Sequence, residues 1–197
     1  MSNNHEETIE TTVARIPLHW AVSILVLLIL PLSVFLGAWN FALWASFIVW
    51  TQFFLYGATF DTWKIIFPCI PYGALIGFIW SAASYALEVA IPALQGGFWG
   101  FFITTPIVIT AYVWSLGKVP VWRDHTLSVF NGFSLYLAIY FTGSIPTVGP
   151  MANTYWLTFL AFLWTVAMCY FGWFCGWVNI LLTFPKKVRV PKEKANQ

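Results

Sequence analysis

Six apolar runs, separated by short polar or Pro/Gly-rich connections, pattern the chain from Leu18 onward. The first runs from Leu18 to Ala38 with Pro31 inside it, and the second from about Asn40 to Thr59. Asp61 and Lys64 mark the turn that follows. The third begins near Ile65, passes Pro68 and Pro71, and continues to about Val89, where Pro92 and Gly96-Gly97 turn the chain. The fourth covers Gly97 to Leu116 with Pro106 near its middle, and a polar connection, Gly117 to His125, leads to the fifth, Thr126 to Gly143. The Pro- and Gly-rich stretch Ser144 to Asn153 precedes the sixth, Thr154 to Leu182. Each run is near or beyond the ~20 residues that carry an α-helix through a hydrocarbon core ~30 Å thick. The pattern therefore predicts an all-α membrane protein, a single bundle of six transmembrane helices over residues 18–182. Residues 1–17 and a basic tail, 183–197, flank it.

Composition turns that pattern into a class. Hydrophobic residues make up 60% of the chain and charged residues 8%, which is too little charge to cover a soluble globule. The basic residues are Arg15, Lys64, Lys118, Arg123 and the cluster Lys186, Lys187, Arg189, Lys192 and Lys194. A six-span weave puts all of them in the N-terminus, the second and fourth loops and the C-terminus. Cytoplasmic segments hold the excess of Lys and Arg, so both termini are expected in the cytoplasm and the protein in the inner membrane. The net charge of +2 lies mostly in the tail, which excludes a nucleic-acid footprint and suits contact with anionic headgroups. The first 17 residues carry Glu6, Glu7 and Glu10 against Arg15, and no small-residue cleavage pattern follows, so the first run is expected to stay as a span. Cys69, Cys169 and Cys175 lie in apolar segments without ligand spacing and read as free buried thiols.

Small and polar residues recur at helical spacing. In the third run Gly73, Gly77, Ser81, Ser84 and Glu88 fall three or four apart and share one face. Ser128, Asn131, Ser134, Ala138 and Thr142 do the same in the fifth, and Gly97, Gly100, Thr104, Ala111 and Ser115 form a looser set in the fourth. The sixth carries the longest stripe: Thr158, Ala161, Thr165, Cys169, Gly172, Gly176 and Asn179. Such stripes let helix backbones approach closely, with Gly73, Gly77, Gly172 and Gly176 as the packing positions. The same hydroxyls and amides could instead line a wet path. Among the 13 Trp, Trp20, Trp39, Trp63, Trp122, Trp156 and Trp177 fall near span ends as interfacial anchors, while the others lie deeper.

Glu88 is the one acidic residue inside a predicted span. It can snorkel to the interface, or it can face inward and mark a site for a cation, proton or polar solute. Thr104-Thr105-Pro106 is the second candidate, because proline frees the Phe102 carbonyl and kinks the helix; freed carbonyls and Thr hydroxyls could coordinate a polar solute, or the same hydroxyls could heal a plain structural kink. Gln52 and Asn131 are amides within spans, suited to interhelical hydrogen bonds. No catalytic motif is present, and His19 and His125 lack the converging partners of a metal or haem site, so neither enzyme chemistry nor a metal or other cofactor is expected.

Trp50, Phe53, Tyr56 and Ala58 close the second run, and Gly77, Trp80 and Ala82 lie in the third. Gly132, Ala138, Phe141 and Gly143 follow in the fifth, then Tyr170, Gly172, Gly176 and Trp177 in the sixth. On these residues, over roughly Trp39 to Val178, the chain resembles the bacterial inner-membrane family known as "domain of unknown function 1097". The resemblance implies a small polytopic inner-membrane protein and supplies no substrate or catalytic residue. The acidic N-terminal extension, the Pro-rich connection before the last span and the basic tail depart from the family pattern. Gly97-Phe98-Trp99-Gly100-Phe101 is also similar to a Gly-aromatic-Gly-Phe turn of bacterial urea channels, over those residues only.

Two functions fit these features. One is a channel or transporter for a small neutral or cationic solute, with Glu88, Ser84, Ser81, Thr104, Thr105, Asn131 and Gln52 along its path. The other is a non-transporting scaffold or partner subunit docked through its small-residue faces. The expected partners are lipid, a small solute in the first case, and further copies of the chain.

Overall fold

In lipid an unpaired backbone N–H or C=O has no water to bond, so apolar runs of this length are driven into helix. The computed structural model describes residues 8–13, 15–96, 98–184 and 186–191. Its helices are α1 (Leu18–Phe35), α2 (Leu43–Leu55), α3 (Trp63–Ala90), α4 (Trp99–Leu116), the short α5 (Pro120–Asp124), α6 (Thr126–Phe141) and α7 (Thr154–Thr183). Two strands, β1 (Thr8–Val13) and β2 (Lys186–Pro191), flank them. Among the described residues α1, α3 with its leading turn, α4 and α7 are long and apolar enough to cross a membrane. Two further apolar helices, α2 with 13 residues and α6 with 16, are shorter than the sequence pattern predicts.

Local backbone chemistry accounts for the shortening. Asn40 adopts a left-handed conformation (φ 45°) and donates through Nδ2 to the Gly143 carbonyl at 2.8 Å, so α2 begins only after it. At the other end Gly57 turns left-handed (φ 95°), Ala58 N–H bonds Phe53 C=O at 3.0 Å and Gly57 N–H bonds Phe54 C=O at 3.1 Å. This paired closure satisfies the last carbonyls and ends the helix before Thr59. Gly143 ends α6 the same way, with Ser144 N–H on Ile139 C=O and Gly143 N–H on Tyr140 C=O. Of the two readings of the fourth run, the proline healed within one helix is the one seen: α4 continues through Pro106. Thr105 Oγ1 bonds Phe101 C=O at 2.5 Å and Thr104 Oγ1 bonds Gly100 C=O at 2.8 Å, so hydroxyls and backbone accommodate the proline together.

The connections gather at two ends of the bundle. Thr147 N–H donates to Ala38 C=O at 2.7 Å and Trp164 Nε1 to Asn40 C=O at 3.3 Å, tying the α6–α7 connection to the α1–α2 connection at what we term the far end. At the opposite, termini end the rings of Tyr56 and His125 meet edge to face at 5.3 Å, and Ser128 Oγ donates to Tyr56 Oη at 2.9 Å. Arg15 N–H bonds Thr183 C=O there at 2.8 Å, and β1 and β2 pair antiparallel from Thr8 with Pro191 to Val13 with Lys186. The N-terminal segment and the basic tail, read separately from the sequence, are thus joined in one ribbon. Lys192 and Lys194 lie outside the described residues.

α3 is central, packed against α4, α6 and α7, while α2 lies along α7 and α1 covers α2 and α7 from outside. Glycine notches bring the backbones together. A side-chain carbon added at Gly73 would collide with the Val129 carbonyl of α6, and one at Gly132 with the Ile70 carbonyl of α3. Gly172 meets the backbone of Ser46 in α2 in the same way, and Gly176 takes the Phe53 ring, as Gly77 takes that of Tyr136. Replacing Gly73 by Leu should therefore force α3 from α6 and cost on the order of 1–3 kcal/mol. Thermal unfolding in nanodiscs should show a clearly lower midpoint. Gly37→Ala, with no neighbour within 4 Å of the added carbon, should leave it unchanged.

Candidate functional site

The polar face of α3 points into the bundle, with Gly73, Gly77, Ser81 and Ser84 buried and Glu88 half-buried. Each polar group on it reaches a neighbouring helix. Ser81 Oγ shares a hydrogen bond with Tyr136 Oη of α6, whose hydroxyl also donates to Thr158 C=O of α7 at 3.4 Å. One turn on, Ser84 Oγ and Thr104 Oγ1 of α4 are 2.6 Å apart. A further turn on, Glu88 Oε1 accepts the Gly100 N–H at 3.1 Å. Because Phe98, the residue before α4, supplies no side-chain cap, this carboxylate serves the positive end of α4 from twelve residues upstream. Glu88 thus turns toward a helix terminus, an arrangement distinct from both snorkelling and pairing inside the bundle.

The other expected path residues are dispersed. Thr105 is half-buried with its hydroxyl on its own helix, and Asn131 is half-buried on α6, with Ser134 and Thr142 of the same stripe exposed. Of that stripe Ser128 is buried, and Gly132, Leu135, Tyr136 and Ile139 join it on the inward face of α6. Gln52 is buried on α2, 4% exposed, and neither end of its amide finds a partner among the described residues, contrary to the expected interhelical bond. Asn179 of α7 is in the same condition. Among the described residues no three His, Cys, Asp or Glu side chains converge as a metal site.

At the far end the α3–α4 connection and the α6–α7 connection leave an open cleft. One part, about 480 Å³, runs past Phe98, Phe101, Tyr140 and Phe141, and an adjoining part, about 260 Å³, runs past Glu88. Phe98 and Phe101 border both. Ring centroids lie 5.9 Å apart for Phe98 and Phe101, 5.6 Å for Phe101 and Phe141, and 5.2 Å for Tyr140 and Phe141. Phe98 is held left-handed (φ 56°), which costs a residue with a side chain on the order of 1–3 kcal/mol and turns its ring to the rim. Gly97 lies outside the described residues. Tyr140 and the rings were not singled out by the stripes, because aromatic side chains are unremarkable in an apolar run. The signal was the spacing of Phe98 and Phe101 just beyond Glu88, across a turn whose closure brings the three together.

No family model, curated protein or solved structure matches the chain.

The Ser84–Thr104 contact makes a quantitative test. In a double-mutant cycle of Ser84→Ala and Thr104→Ala, read by steric-trap unfolding in bicelles, the coupling should be about 0.6 kcal/mol and below about 1.7 kcal/mol, as for other buried hydroxyl pairs in lipid. A coupling of zero would show that the two hydroxyls do not meet.

Proposed function

We propose that the chain is a six-span inner-membrane protein with both termini in the cytoplasm, which handles a small neutral or cationic solute entering at the far end. The observation that carries this reading is Glu88: a carboxylate on the central helix, opening on a cleft, with no ionic partner among the described residues. An ionisable group at membrane depth is costly and is kept where it meets a substrate or ion. The six-span count is supported by the alternating direction of α1, α2, α3, α4, α6 and α7. It is also supported by the collection of Arg15, Lys64, Lys118 and Arg123 at the termini end. Placement in the family named above is part of the same proposal.

A second reading, a non-transporting partner subunit, is favoured by a different observation. Ser81, Ser84 and Thr104 are spent on helix bridges, and α4 presents Phe102, Ile107 and Trp114 outward. Sizing and cross-linking in native detergent separate the two readings, since a stable companion protein would support the second.

Topology is tested with a membrane-impermeant maleimide on intact cells. The native cysteines are buried and should stay silent. Thr147→Cys should label from outside, and Asp124→Cys only after permeabilisation; the reverse would invert the topology. In liposomes screened with urea, short amides, ammonium and monovalent cations, Glu88→Gln should slow cation flux at least about tenfold, the effect of about 1.4 kcal/mol. Thr105→Val should stay near wild type, because its hydroxyl serves its own helix. Wild-type flux from Glu88→Gln would contradict the assigned entry.

A further inference from the structure

The far-end cleft combines a carboxylate lacking an ionic partner among the described residues with a wall of aromatic rings, and that combination selects among ligands. The two ion pairs among the described residues, Lys64 with Asp61 and Arg123 with Asp124, both lie at the termini end, so neither cation reaches Glu88. Oε1 takes the Gly100 N–H at 3.1 Å, and the described hydrogen bonds leave Oε2 free. The amide dipoles of α4 offset part of the charge, about half an elementary unit. The site therefore retains negative charge and disfavours an anion. A bare metal ion would need several oxygen ligands, and among the described residues Glu88 is the only carboxylate lining the cleft. A neutral solute would leave that charge uncompensated. The rings of Phe98, Phe101, Tyr140 and Phe141 offer what a soft organic cation uses, apolar contact together with the negative faces of the π systems. The room is also suitable, since about 480 Å³ falls within the range of small-molecule clefts.

We propose that the far-end cleft binds a small alkylammonium cation, with its charged group at the Glu88 carboxylate and its alkyl groups against Phe98, Phe101, Tyr140 and Phe141. This deepens the solute-handling reading by naming the substrate class, and it rests on that reading for the direction of movement, whereas binding itself requires no transport.

The test is titration calorimetry of the full chain in lipid nanodiscs, with choline, its uncharged isostere 3,3-dimethylbutan-1-ol, and potassium as probes. Choline should bind saturably, at least about tenfold more tightly than the isostere or potassium. Glu88→Gln keeps an acceptor for the Gly100 N–H, so its melting should match wild type, while choline weakens at least about tenfold and the isostere is unaffected. Phe101→Leu keeps apolar volume and loses the ring, and should weaken choline roughly two- to thirtyfold. Should Glu88→Gln fail to fold, Phe101→Leu and Phe98→Leu decide by the same loss. Equal affinity for choline and its isostere, absence of saturable choline binding, or unchanged choline affinity in the folded variants would overturn the proposal. Binding with these properties but no flux in liposomes would support the site and contradict transport.

Discussion

Lipid gives no hydrophobic reward for bringing two helices together, so a bundle seated there, as proposed for this chain, depends on the direct approach of backbone to backbone, α3 to α6 and α2 to α7. Gly73 and Gly132 face the carbonyls of Val129 and Ile70, and Gly172 faces Ser46. At these points the fit replaces the apolar burial that would hold a soluble core. The consequences spread from there. With α6 seated on α3, Tyr136 reaches Ser81 and Thr158, and three helices share one hydrogen-bonded junction. With α7 lying along α2, Ser46 Oγ can donate to the Met168 carbonyl at 2.9 Å, and Trp173 Nε1 reaches Thr62 Oγ1 at 2.9 Å.

The same constraint explains where the polar groups go. A buried hydroxyl must be satisfied locally or across a helix pair, and Ser81, Ser84 and Thr104 do both. Glu88 stands at the edge of that scheme. It lies beyond the last close α3–α4 packing point, where Gly100 lets the backbones approach and the carboxylate reach the start of α4. Past it the helices diverge into connections, and a cleft with an aromatic wall opens.

Much of the architecture was legible in the sequence. Long apolar runs located the helices, and the small-residue faces of α3 and α7 pointed inward as spacing alone implied. The stripe on α6 was misleading beyond Ser128, because tyrosine and glycine, absent from it, make inward contacts while Ser134 and Thr142 are exposed. Hydropathy also could not see that Asn40 and Gly57 adopt left-handed conformations that trim α2. The alternation in Thr8–Val13 and Lys186–Pro191 is a strand signal, but each segment is short and its partner lies at the opposite end of the chain. In the candidate site Glu88 was visible as a lone charge. Its surroundings depend on the closure of the α3–α4 turn and on α6, which no local pattern encodes.

The helix seam can be measured directly. In a chain freed of its native cysteines, Ser46→Cys with Met168→Cys should form an intramolecular disulfide under mild oxidation in native membranes, since Ser46 Oγ lies 3.9 Å from Met168 Sδ. Thr51→Cys with Met168→Cys should not, because Thr51 is exposed on the outer side of α2. Efficient cross-linking of the first pair alone is the result expected if α2 lies along α7 through the Gly172 notch. Cross-linking of the control pair, or of neither, would contradict that packing and the bundle built on it.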